Sequence, residues 1–95
     1  VSEDYQEIKL ELMDLMKLVA SCNKDPDKTY ALSQRMIEVV KRLTSSSKKV
    51  EGNVIEEILV LSSWVDKFLA HPENKNNFLQ VQGICKQIYQ EISSY

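Results

Sequence analysis

The sequence predicts an all-α fold, a compact four-helix antiparallel bundle with room for a fifth, short turn. Three observations carry this. Apolar residues recur at spacings of three and four in four separate blocks. Only two glycines and two prolines occur in 95 residues, too few for a turn-rich β sandwich or a disordered tail. The segments between the blocks, "CNKDPD", "TSSSKKVEGN" and "HPENKNN", hold the residues that start and stop helices.

The first helix is expected from about Glu3 to Ser21, capped by Ser2, with Glu3 and Asp4 at the positive end of its dipole. Tyr5, Ile8, Leu12, Leu15, Val19 and Cys22 form its stripe, which Met13, Met16 and Ala20 widen. Leu10 and Leu18 fall outside that stripe. Asp25-Pro26 then caps and opens a second helix, from Pro26 to about Leu43, with Leu32, Met36, Val39, Val40 and Leu43 inward. The serine-lysine segment reads as the flexible connection, with a short turn around Lys48–Glu51.

Asn53 and Glu56 resemble a capping box opening a third helix, from Val54 to Ala70. Its apolar arc, Val54, Ile58, Leu61, Val65 and Phe68 widened by Leu59 and Val60, predicts the most central helix. Pro72 disfavours helical geometry at His71 and ends it. Asn77 and Gln80 make a second capping-box pattern ahead of a fourth helix, from Phe78 to Ser93. Val81, Ile84, Cys85, Ile88, Ile92 and Tyr95 share its inner face, with Phe78 and Tyr89 at its edge. In an up-and-down layout the 1–2 and 3–4 loops lie at one end, and the serine-lysine loop at the other.

One domain, residues 1–95, accounts for the whole chain. It begins at Val1 rather than Met, which predicts a domain excised from a larger protein. Net charge is −2, so the overall field favours neither nucleic acid nor an anionic membrane. No apolar run reaches the ~18–20 residues of a bilayer span. Neither a membrane nor a metal partner is expected, nor any cofactor. The two cysteines make no metal pattern; on different heights of the bundle, they are expected as free, buried thiols. That fits a reducing, intracellular compartment, and the chain is expected to be monomeric.

Catalysis has little to build on. His71 is the sole histidine, and one loop histidine makes neither a metal site nor a triad. No acid, base and nucleophile converge, so an enzyme is not expected. Glu3, Glu7, Glu11 and Asp14 line the outside of the first helix, opposite a basic row at Lys28, Arg35 and Arg42 on the second. These read as solvated faces paired across the 1–2 edge, each pair worth ~0–1 kcal/mol. The methionines read as core filler and Trp64 as a core anchor with a partner for its indole N–H. Gly83 lies on the outer side of the fourth helix, at ~1 kcal/mol relative to alanine, one turn from an outward Leu79. A bare patch beside an exposed leucine suits a contact surface, a bend in the helix or cover by an extra segment.

From Asp25 onward, "ALSQRMIEVVKRLTSSSKKV" and "WVDKFLAHPENKNNFLQVQGICKQIY" set out a leucine-ended helix, a polar joint, an apolar helix, a polar hinge and a closing helix. This order resembles the helical-bundle domain at the amino terminus of transcription elongation factor S-II. That family includes relatives in elongin A and Mediator and the integrase-binding domain of the lens-epithelium-derived growth factor family. The resemblance spans about 70 residues; "VLSS" replaces the family's threonine-containing junction, and the last-helix tryptophan is absent. It implies a non-enzymatic, nuclear docking module for short disordered peptides. Carried over by position, the docking end would comprise Cys22, Asn23 and Asp25 with Leu69, His71 and Phe78.

The leading expectation is therefore a non-catalytic protein-interaction module that docks a peptide or helix. Two alternatives stand beside it. One is a helical dimerisation domain using Leu10, Leu18, Leu79 and Gly83. The other is a nucleic-acid binder using Lys28, Arg35, Arg42, Lys48 and Lys49, for which interleaved stacking aromatics are missing. Without the S-II resemblance, a cytoplasmic setting is the default.

Overall fold

The computed structural model describes residues 3–95. Four α-helices run through them: α1 (Glu3–Lys24), α2 (Thr29–Ser47), α3 (Gly52–Ala70) and α4 (Lys75–Ser93). A 3₁₀ turn, Pro26–Lys28, precedes α2. Ser2, the expected first cap, lies outside the described residues. The bundle measures 38 × 21 × 17 Å, its long axis set by helix length.

The helices form a ring in chain order. Helix α1 packs on α2 and α4, and α3 packs on the same two, so α1 and α3 are diagonal. The expected four-helix bundle is what the chain adopts; the expected centrality of α3 is not. A four-membered ring gives every helix two neighbours and one open side. On α3 that side carries Leu59 and Val60, which are 54% and 50% exposed.

Leu18 is the second correction. It is buried, not outward. It lies seven residues from Glu11, on the same flank of α1. Glu11 accepts a hydrogen bond from Arg42 Nε of α2 at 3.0 Å, so α2 covers that flank. A helix with two neighbours buries an arc wider than one stripe.

Local chemistry explains the shifted helix ends. Asp25 does cap: its Oδ1 accepts from Asp27 N at 3.2 Å, with Pro26 at the first helical position. It opens the 3₁₀ turn, however, and α2 starts only at Thr29. At the far end α2 runs four residues beyond Leu43, through the serines read as a loop. Thr44 and Ser47 hydroxyls donate to Val40 O (2.9 Å) and Thr44 O (2.8 Å) within the helix, while Ser46 and Ser47 are buried. Back-bonding satisfies the Ser47 hydroxyl where burial removes it from water. Between Lys48 and Val50 the amides reach back three residues, giving a hydrogen-bonded turn but no fifth helix.

Neither expected capping box forms. Glu51 precedes α3 without a side-chain cap, and Asn53 instead donates to Glu91 and to Tyr95 of the α4 end. Asn74 caps α4, accepting from Asn76 N at 2.9 Å. Asn77 lies inside the first turn, buried, and donates to Lys67 O (3.1 Å) and His71 O (3.3 Å). It ties the start of α4 to the end of α3, which stops at Ala70 as Pro72 predicts.

Near the opposite end of the bundle, Glu57 of α3 adjoins Glu91 of α4. Burial first, and then the Glu91 carboxyl beside it, push the Glu57 carboxyl up from 4.5 to about 7. The folded state thus holds this proton more tightly than the unfolded chain. The stabilisation is full below about pH 4.5 and is lost as pH rises through 7. Glu57→Gln, which removes the charge, should therefore leave the melting temperature nearly unchanged at pH 4.5. At pH 8 it should raise stability by about 1 kcal/mol, a figure discounted for partial exposure. Thermal melts at both pH values test this; the same gain at both would remove the carboxyl pair as the cause.

Candidate partner-docking surfaces

The two loops that were expected to form a docking rim do lie at one end, since connections alternate ends in an up-and-down ring. Their residues are unequally available. Cys22 is fully buried, so it offers nothing to a partner. Leu69 and Phe78 are half-buried and pack against the core, and Asp25 is occupied as a cap. Asn23 and His71 are exposed, and His71 Nδ1 lies 3.3 Å from Glu73 Oε1. Leu69 and Phe78 thus divide their surface between the core and solvent, as Met16 and Tyr89 do on the α1–α4 side.

Of the second candidate set, Leu10 and Leu79 are 67% and 55% exposed, and Gly83 is exposed as well. A Cβ added at Gly83 would meet nothing within 4 Å, so the glycine is not required by packing inside the bundle. Leu18 drops out of this face, as above. On the basic row, Arg42 is engaged by Glu11, whereas Lys28, Arg35, Lys48 and Lys49 are exposed. Lys28 and the pair Lys48 and Lys49 stand at opposite ends of α2, so they make no compact cluster.

Crevices follow the helix seams. One of about 180 Å³ between α2 and α3 includes Lys41 and Asp66. One of about 260 Å³ between α3 and α4 is bordered by Glu56 and Glu57, with Val60 and Ile84 at its base. The third, about 230 Å³, lies between α1 and α4 and is lined by Met13, Met16, Lys86, Tyr89 and Gln90. The register of this last seam is held by Gln82, whose Nε2 donates to Met16 O at 3.3 Å, and Lys9 Nζ stands 5.6 Å from the Tyr89 ring centre.

The α1–α4 crevice and the outer row of α4 are continuous. At about 100° per residue, Leu79, Gly83, Lys86 and Gln90 occupy a strip about 60° wide along α4. Lys86 and Gln90 belong to both the strip and the crevice. Met13, read as core filler, is 39% exposed and Met16 is half-buried, so only Met36 fills the core. Methionine on an open surface is an adaptable apolar contact. Trp64 is half-buried against the core's edge, with Lys67 Nζ 4.2 Å from its ring centre.

Both cysteines are free and buried, as expected. Burial raises the Cys22 thiol and pushes Cys85 up to about 12, so both stay protonated and unreactive. Among the described residues no group of three His, Cys, Asp or Glu could hold a metal ion, and no helix is long and apolar enough to cross a membrane.

Sequence reasoning missed Met13, Met16, Lys86, Tyr89 and Gln90 as a group. The signal was present in the two helical wheels, but which flank of α1 meets α4 is a tertiary fact. No protein-family model matches the chain, and neither a curated protein nor a solved structure does.

Proposed function

We propose that the chain is a non-catalytic interaction module that docks a helix or short peptide on its α1–α4 face. The observation that supports it is the continuity of exposed Leu79, the bare Gly83 and the crevice of Met13, Met16 and Tyr89. Leu79 and the methionine-lined crevice beside a glycine let a second backbone approach closely, and packing within the bundle does not require that glycine. This docking role agrees with what the S-II resemblance implies, but uses the side of the bundle rather than its loop end. Two unpaired thiols support an intracellular setting; a nuclear one rests on the resemblance alone.

Selection of 16-residue peptides from a display library, followed by amide-shift mapping, tests this reading. Selected peptides should shift residues 13–20 and 79–90. Gly83→Gln should weaken them at least ten-fold while raising the melting temperature, because glutamine is the better helix former by about 0.5–1 kcal/mol. Binding that maps to the loop end, or that survives both Gly83→Gln and Leu79→Glu, would show the face to be wrong.

A further inference from the structure

The charges of this chain are sorted by face. The whole chain has 12 basic and 14 acidic residues. On α1, the acidic side chains Glu7, Glu11 and Asp14 fall on the flank toward α2, where Arg42 meets Glu11. The flank toward α4 carries Lys9 and, near the open side, Lys17 and Lys24. On α4 the outer strip carries Lys75 and Lys86, and the helix's one carboxylate, Glu91, faces α3 and is bonded there to Asn53. The patch of Leu79, Met13, Met16 and Tyr89 therefore has Lys9, Lys17 and Lys86 around it, and over residues 13–20 and 79–90 the one carboxylate, Asp14, lies on the α2 flank of α1. Its counterpart between α3 and α4 has Glu56 and Glu57 instead.

We infer that the occupant of the α1–α4 face is an acidic amphipathic helix; this rests on the docking reading above. Charge complementarity selects the sign: carboxylates flanking an apolar stripe would meet Lys9, Lys17 and Lys86. The dimensions select the shape. From Leu79 to Gln90 the strip is about 16 Å long, or three helical turns, between two antiparallel helices. A helix laid there presents apolar side chains at i, i+4 and i+7 to Leu79, Gly83 and the methionine-lined crevice. A second copy of this chain fits less well. A two-fold interface brings the same patch together from both sides, and here it would set lysine rows against lysine rows.

The test uses three synthetic 15-residue helical peptides with leucine at i, i+4, i+7 and i+11. Their flanking positions carry glutamate, glutamine or lysine. Titration into the ¹⁵N-labelled chain is expected to shift residues 13–20 and 79–90, with the glutamate peptide at least ten-fold tighter than the glutamine one. Raising salt should shrink that difference. The double variant Lys9→Glu/Lys86→Glu should reverse the order and favour the lysine peptide. Equal affinity of all three peptides at this face would overturn the acidic-partner inference and leave the docking reading standing. No shift on this face with any peptide would overturn both. Two further outcomes would overturn the inference in favour of another occupant. One is preferential binding of vesicles of 30% phosphatidylserine in phosphatidylcholine over the glutamate peptide. The other is a monomer–dimer equilibrium in sedimentation that Leu79→Glu abolishes.

Discussion

Phe68→Ala is expected to lower the stability of the domain by about 3–5 kcal/mol. Phe68 is wholly excluded from solvent in the last turn of α3 and is the largest fully buried side chain. Its removal forfeits the transfer energy of a ring and leaves a cavity that a ring of four helices cannot close, because each helix is held by two neighbours. The total stability of a chain this size is only about 5–14 kcal/mol. The substitution thus consumes a large part of it. Urea denaturation followed by helical circular dichroism measures the effect: the midpoint should fall with little change in slope. A loss under about 1.5 kcal/mol would mean that the bundle end collapses to refill the space, contrary to the packing described.

Asn77→Ala is expected to cost about 1.5–2.5 kcal/mol and to act locally. The buried amide donates to two carbonyls, Lys67 O and His71 O, across the α3–α4 junction. Each bond is worth about 1 kcal/mol net, and what is lost is the tie between two helix ends rather than core volume. Both carbonyls retain a backbone partner, from His71 N and Asn74 N, so they are not orphaned and the cost stays moderate. Hydrogen exchange distinguishes this from a core lesion. The amides of His71, Asn74 and Phe78 should exchange faster, while those of the core stripe in α1 change only with global stability. Uniform acceleration along the chain would contradict the local role assigned to Asn77.

The sorting of charge and apolar surface connects these predictions to function. Phe68, the buried methionine and the core stripe hold the bundle closed, and the rim residues Leu69 and Phe78 are part of that closure. Met13, the bare glycine and Lys86 stay on the outside. Gly83 lowers helix propensity and Leu79 is left in water, and packing within the bundle does not require the glycine.

How much was legible follows from what each signal depends on. The stripe of α3 was legible residue by residue, because a 3.6-residue period is a property of one helix alone; those of α1 and α4 were legible except at Leu18, which is buried, and at Met13, Ala20 and Tyr95, which are exposed. The stop at Ala70 was legible because Pro72 acts on its immediate neighbour. The Asp25 cap was legible for the same local reason, although it opened a 3₁₀ turn first. The two asparagine capping boxes were misread. Asn53 donates to the Glu91 carboxylate and Asn77 to the Lys67 carbonyl, each on another helix, since a side-chain amide takes the better-placed acceptor whatever its sequence distance. The serines at the end of α2 were misread because composition favours a loop, whereas Thr44 and the buried Ser47 bond back to their own helix.

Sequence alone therefore determined the number of helices, their order and most of the core stripes. Those follow from periodicity and from short-range chemistry. Only the tertiary structure decided the ring arrangement. That arrangement buried Leu18 beneath α2, left Leu59 and Val60 in water, and set Met13 and Met16 beside Lys86 and Tyr89. A wheel tells how far apart two side chains point on one helix; it does not tell which neighbour stands on either flank. The candidate face exists because α1 has α4, and not α3, on its basic flank.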